Sequence, residues 1–444
     1  MNPTPQGLTL FAPRGTPVQN SVKESGAALM EGRWLRVMKN ETTVHTSAAG
    51  AQPRCASLFS QILNLIDRRE FDAAVARTGA EKRSKGFSCW DQFVAMCFCQ
   101  LAQAKSLREI TQGLASCEGR LRHLGLTESP ARSTLSYANQ VRPAALYEEV
   151  FQQVLARCHA TSPGHKFRFK NKLLSLDSTV LELCASMFDW ARFRQTKGAV
   201  KLHLLLDHDG YLPVFAHVTE GKVADITVAQ QLILPPGSIV AMDRGYNDYR
   251  LFEAWTEQQV GFVTRLKANA EYFVMETLAE ASKGEIRRDE RIEFQVITAG
   301  RTIWQTYRRI EVWREDKQET LVLLTNLLQL SATTIAAIYK ERWQIELFFK
   351  ALKQHLRIKT FVGTTANAVQ IQIWTALIAI LLLKYLQFKS RCAWALSHLV
   401  ALLRWNLFSY RDLWAWLEHP LATPPQLPPD LQLNLELDSI PAST

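Results

Sequence analysis

The chain has 444 residues and 47% hydrophobic content, with 52 Lys and Arg against 42 Asp and Glu for a formal net charge of +10. This length allows two or three domains and more than one core, and the basic balance favours a polyanionic partner, with plain solubility charge as the alternative. The eight cysteines show neither disulfide nor zinc-finger spacing, which excludes a disulfide scaffold and fits a reducing, cytoplasmic setting.

Residues 1–54 are rich in Pro, Gly, Ser and Thr and read as a disordered leader, with Met38 as an alternative start. Residues 55–165 read as an all-helical N-terminal domain, with apolar residues at helical spacing in Ser57–Ile66 and Trp90–Ala104. Ser129-Pro130 predicts a helix start. In the segment that follows, Arg132, Ser133, Asn139 and Arg142 are of the types that contact phosphates and bases, as a groove-reading helix requires. The plain alternative is the solvated face of an ordinary helix.

From Lys170 the pattern changes to strands. Leu173–Val180, Lys201–Asp207 and Tyr211–Thr219 predict an antiparallel meander, with a turn at residues 208–210. A helix over Ala224–Leu232, a strand over Ser238–Asp243, a helix over Tyr249–Gln258 and a strand over Gly261–Arg265 follow. The order predicts an α/β fold, a mixed sheet covered by helices, with its core in residues 166–284 and 326–365. Residues 285–325 alternate like hairpin strands and read as a β-rich insertion. Ser331 is expected to cap a helix running to about His355. Residues 366–418 read as C-terminal helices; the apolar run Trp374–Leu383 is too short to cross a bilayer and fits a buried helix. Residues 419–444 form a Pro-rich, mildly acidic tail.

Chemistry concentrates at three carboxylates. Asp177 and Asp243 are expected at the ends of buried strands, and Glu346 lies in Tyr339-x2-Arg342-x3-Glu346-x6-Lys353. At about 100° per residue these four fall within roughly 60° on a helical wheel, with Lys350 close by. Ile338, Ile345, Phe349 and Leu352 form an apolar stripe about 90° away, so the helix can dock through one face and present the other. Three carboxylates from separate segments can hold two divalent metals, and neighbouring cations can hold phosphates, which is the equipment of phosphoryl transfer. Taken singly, each aspartate is as well explained as a turn former, and the glutamate as part of a solvated face.

Together these residues resemble the DDE triad and Y-R-E-K signature of the insertion-sequence-four transposase family. Arg132-Ser-Thr-Leu-Ser-x-Ala-Asn, Lys197-Gly-Ala-Val-Lys-Leu-His and Thr219-Glu-Gly-Lys-Val-Ala-Asp225 also resemble segments of one subgroup. The resemblance spans about residues 55–417. It implies an RNase H-like (retroviral-integrase-like) core, with helices on both faces of its sheet and split by the β insertion, and cut-and-paste DNA transposition. Asp177, Asp243 and Glu346 would be catalytic and bind two Mg2+ ions, Mn2+ substituting. The implied partners are double-stranded DNA, both terminal inverted repeats and target, and a second copy of the chain in a synaptic homodimer. Tyr339, Arg342 and Lys353 would grip phosphates near a hairpin end, with Lys350, Arg265, Lys267 and Arg244 as further DNA contacts. Trp304 and Trp313 are candidates for stacking on a flipped base, strand-core packing being the alternative. Two rival readings remain at this stage: an RNase H-like nuclease or resolvase that cuts without joining, and a domesticated DNA-binding regulator.

Overall fold

The computed structural model describes residues 56–425, apart from 83, 85, 118–120, 185–191, 195, 196, 282, 283, 299, 300, 357, 359 and 360. The expected leader, Met38 and all but the first residues of the tail lie outside the described residues. The described N-terminal helices are α1 (Leu58–Leu63), α2 (Arg68–Thr78), α3 (Cys89–Leu101), α4 (Leu107–Ala115), α5 (Arg132–Val141) and α6 (Ala145–His159). Local capping sets several starts: Asp67 accepts from Arg69 and Glu70 N–H groups, and Ser88 and Asp91 form a reciprocal capping box. Helix α5 departs from expectation. It starts at Arg132 without a side-chain cap, and Ser129 Oγ donates to the Thr111 carbonyl instead.

The strands are β1 (Leu173–Cys184), β2 (Arg192–Arg194), β3 (Lys197–Asp207), β4 (Leu212–Glu220), β5 (Ile239–Met242), β6 (Gly261–Arg265), β7 (Phe273–Glu280), β8 (Ile286–Thr298), β9 (Arg301–Arg314) and β10 (Glu319–Thr325). They form one mixed sheet in the order β2-β3-β1-β5-β6-β10-β9-β8-β7, with β4 on β3. β1, β3 and β4 are the antiparallel meander; β5 and β6 run parallel to β1. The strand-rich stretch begins earlier than expected, at Phe273, and its last strand β10 hydrogen-bonds to β6, so these strands extend the sheet. Residues 302–307 and 309–313 lie in the single strand β9.

Alternation along the strands sorts side chains between two faces. Leu174, Leu176, Val240 and Met242 pack beneath α8 (Tyr249–Glu257), which follows the short α7 (Asp225–Ala229). On the opposite face, Leu173, Ile239 and Ala241 pack under α9 (Ala332–Glu341). On that same face Leu202, Leu204 and Leu206 join Ile345, Phe349 and Leu352 of α10 (Trp343–His355). Both faces of the sheet are therefore covered by helices. Helix α11 (Ala366–Lys389) packs against α3, α5 and α6, while α12 (Leu396–Asn406) and α13 (Leu413–Glu418) close the fold. At 24 residues α11 is long and apolar enough to span a membrane, but 83% of its apolar window is buried inside the protein, as a core helix requires.

Candidate active site

Asp177 is not at a strand end. It lies mid-way along β1, which continues to Cys184 because β3 pairs with it throughout. What ends there is the neighbouring parallel strand: Leu176 pairs with Met242, the last residue of β5. Asp243 follows at once and caps the single turn Arg244–Tyr246. Leu173, Ile239 and Ala241 share a face, so period-two alternation puts Asp177 and Asp243 on that face, side by side. Each accepts a hydrogen bond from the next backbone N–H, Ser178 N to Asp177 Oδ1 at 2.8 Å and Arg244 N to Asp243 Oδ1 at 2.5 Å.

Glu346 comes from above. The helix expected to be continuous from Ser331 to His355 breaks at Arg342, whose N–H bonds to the Tyr339 carbonyl three residues back. The apolar stripe Ile338, Ile345, Phe349 and Leu352 is buried on the sheet. Arg342 is the joint of the site: Nη1 donates to Asp177 Oδ2 at 3.3 Å and Nη2 to Glu346 Oε1 at 2.5 Å. The three side chains are 13%, 20% and 34% exposed, respectively. Burial first, then the nearby charges of Asp243 and Glu346, push the Asp177 carboxyl up to about 6, against the Ser178 N–H and Arg342. Asp177 and Glu346 share one guanidinium, and the charge of Asp243 is near enough to act on Asp177.

The flanking cations extend this charge pattern. Lys353 Nζ donates to Thr179 Oγ1 at 2.5 Å, and Lys350 is exposed; with Asp177, Glu346 and Phe349 they line an open groove of about 370 Å³. Tyr339 is largely buried beside Arg342, whose guanidinium carbon is 5.7 Å from its ring centre. Arg265 is partly exposed at the end of β6. Lys267 Nζ reaches the Asn247 carbonyl, and Arg244 is exposed.

Two expected groove contacts are corrected. Asn139 is buried, accepting from Gln92 Nε2 at 2.8 Å. Arg142 is also buried, donating to the Ser88 and Phe87 carbonyls and to Ser84 Oγ. These side chains tie α5 to the start of α3, and neither faces a groove. Arg132 is exposed on the first turn of α5. In the β-rich stretch Trp304 is 51% exposed, whereas Trp313 is partly covered by the Arg287 guanidinium, 5.4 Å from its ring centre.

A second polar cluster lies on the opposite face of β1. Ser178 Oγ donates to Asp225 Oδ1 at 2.7 Å, Lys201 Nζ lies 3.0 Å from the same oxygen, and His203 Nδ1 lies 3.6 Å from it. His203 Nε2 also meets Thr219 Oγ1 at 2.9 Å. This network holds the backbone immediately after Asp177. Its signal was Lys201-x-His203, the strand spacing that puts both residues on one face.

Three carboxylates with no soft ligand suit a hard divalent cation, and a guanidinium between two of them is a cation standing in for one. Among the described residues, no group of three or more acidic, His or Cys side chains is gathered closely enough to hold a metal ion. The donor set fits a hard divalent cation, which Asp177, Asp243 and Glu346 would hold.

Comparisons with known proteins agree with this chemistry. The family described as Transposase DDE domain matches residues 168–382, and a domain of unknown function matches residues 54–127. A Sinorhizobium fredii protein named as a transposase, y4zB, is 30% identical over 296 residues, covering 66% of this chain and 81% of the relative. A Geobacillus stearothermophilus protein named as the transposase of element IS5377 is 29% identical, covering 57% of this chain and 67% of the relative. The Escherichia coli transposase InsG of element IS4 is 24% identical, covering 43% and 44%. Among solved structures, piggyBac transposase in a synaptic complex with hairpin DNA aligns over 79% of both chains at 10% identity and TM-score 0.38, a likeness too loose to carry detail. The chain belongs to the DDE transposases of the insertion-sequence-four family, metal-dependent enzymes of DNA strand cleavage and transfer.

Proposed function

We propose that Asp177, Asp243 and Glu346 are the catalytic carboxylates of this transposase and hold two Mg2+ ions, for which Mn2+ can substitute. The observation that carries the reading is the placement of Asp177: beside Asp243 on a neighbouring parallel strand, and joined to Glu346 through Arg342. The strand order β4-β3-β1-β5-β6 supports an RNase H-like core around them. When bound, the metals supply a nucleophilic water at neutral pH and neutralise charge on the phosphate. The protein's share is position. β1, β5 and α10 hold the three carboxylates, and Lys350 and Lys353 along the groove grip the DNA backbone, as do Arg265, Lys267 and Arg244 beyond it. Tyr339, largely buried, orients Arg342. Trp304 offers an exposed ring for a displaced base; Trp313 is the weaker candidate.

The substrate in this reading is double-stranded DNA bearing the element's terminal inverted repeats, approached by the N-terminal helices with Arg132 on α5. Cleavage frees a 3′-hydroxyl, which closes a hairpin on the opposite strand; after reopening, the 3′-end joins target DNA. Two copies of the chain synapse the two ends, and the reaction takes place in the cytoplasm, on the nucleoid.

The test is cleavage and joining of a labelled terminal-repeat duplex with plasmid target in Mg2+. Wild type yields cut ends and joined product. Asp177→Asn, Asp243→Asn and Glu346→Gln each lose activity by about 10³-fold or more while still shifting the duplex in a gel, since each removes a charge on which the reaction depends. Full turnover by any one variant removes that residue from the triad.

A further inference from the structure

Arg342 is in an unusual position for a side chain expected to hold DNA. Its two terminal nitrogens are spent on Asp177 and Glu346, and its Nε is buried with no acceptor. The backbone at this break is pinned. The preceding residue, Glu341, is buried and held by Lys166 Nζ at 2.5 Å and Tyr211 OH at 3.1 Å, and Ile345 is buried just beyond. Any rearrangement here therefore falls to the Arg342 side chain, which has four rotatable bonds and only 13% exposure to widen. The fork also occupies the oxygens a metal ion would use, and its charge has the same sign as the ion. Guanidinium and metal compete for Asp177 Oδ2 and Glu346 Oε1.

We propose that Arg342 is a positioning residue with two stations. In the free protein it clamps Asp177 to Glu346 and keeps divalent metal out; a DNA phosphate draws it away, and the carboxylates then accept the ions. The idea rests on the three-carboxylate reading above. It makes metal and DNA mutually reinforcing ligands: each favours the open station, so each tightens the other.

Mn2+ binding to the full chain, followed by electron paramagnetic resonance with and without a terminal-repeat duplex, tests this without any turnover. Uptake by the duplex alone is subtracted. Wild type is expected to bind Mn2+ weakly by itself and about tenfold or more tighter with DNA, the factor set by how far the clamped state outnumbers the open one. Arg342→Gln is expected to bind tightly without DNA and to gain little from it. A merely electrostatic role would raise Mn2+ affinity equally in both conditions and leave the gain from DNA unchanged; that result overturns the proposal. So does a wild type whose Mn2+ affinity ignores DNA, a measurement that stands even where the variant folds poorly. Asp177→Asn separates the two ideas. If it binds Mn2+ and cleaves like wild type, the triad reading falls; if it loses both while Arg342→Gln keeps the wild-type response to DNA, only the two-station idea falls.

Discussion

Burial pushes the Asp177 carboxyl up to about 6 from its ordinary 3.8, and the Ser178 N–H and Arg342 guanidinium do not fully offset it. A group raised in this way contributes stability below pH 3.8 and loses it as pH rises through 6. At pH 7.5, without metal, the protein carries the full cost, ~3 kcal/mol at most for a shift of this size. Asp177→Asn should therefore melt higher than wild type in chelator at pH 7.5, and the difference should vanish near pH 4. Saturating Mg2+ should reverse the order, because only wild type gains from the ion. Calorimetry in which the variant melts below wild type in chelator at pH 7.5 would show that Arg342 had already relieved the strain.

Helix α10 separates stability from binding along one element. Ile345 is fully buried among residues that include Phe349 and Leu352, whereas Lys350 is exposed in the groove. Ile345→Ala should cost about 2–5 kcal/mol of folding stability, as loss of a buried aliphatic chain does. Lys350→Ala should stay within about 0.5 kcal/mol yet weaken DNA binding. Urea melts and gel shifts on both variants would check this, and equal stability losses would mean that Lys350 packs in the fold. The contrast was legible in the sequence, because helical spacing alone separates the Ile345 stripe from the charged face. The break at Arg342 was not, since it carries no Pro or Gly and arises where tertiary contacts hold Glu341 on one side and Arg342 on the other. Edge strand β7 was hidden for a related reason: it is exposed along its length and its ladder is formed only with β8, so no burial pattern marks it. Asn139 and Arg142 show a further limit. Residue type announces a capacity for hydrogen bonding, and only the fold reveals that protein carbonyls and amides already use it.

Across the molecule two pH effects oppose one another. Burial pushes both His203 and His208 down to about 4, so their contribution to stability is present above pH 6.5 and is lost as pH falls through 4. Each shift corresponds to ~3 kcal/mol, and two histidines outweigh the single Asp177 acting in the opposite direction. The metal-free protein should therefore lose net stability on acidification from pH 6.5 to 4. The charge that attracts DNA belongs to residues 56–425. Residues 1–55 carry six Lys or Arg and three Glu, while residues 426–444 carry three acidic residues and no Lys or Arg, so the two ends cancel and the net +10 resides in residues 56–425. If six to ten phosphates are contacted, affinity for a terminal-repeat duplex should fall roughly 10³–10⁵-fold between 50 and 200 mM salt. Trimming the chain to residues 56–425 should leave that slope unchanged, because the net positive charge lies within those residues. Fluorescence anisotropy at stepped salt would decide it: a slope that flattens on trimming would place the phosphate contacts in the basic N-terminal segment, and a flat slope in the full chain would remove electrostatics from the binding altogether.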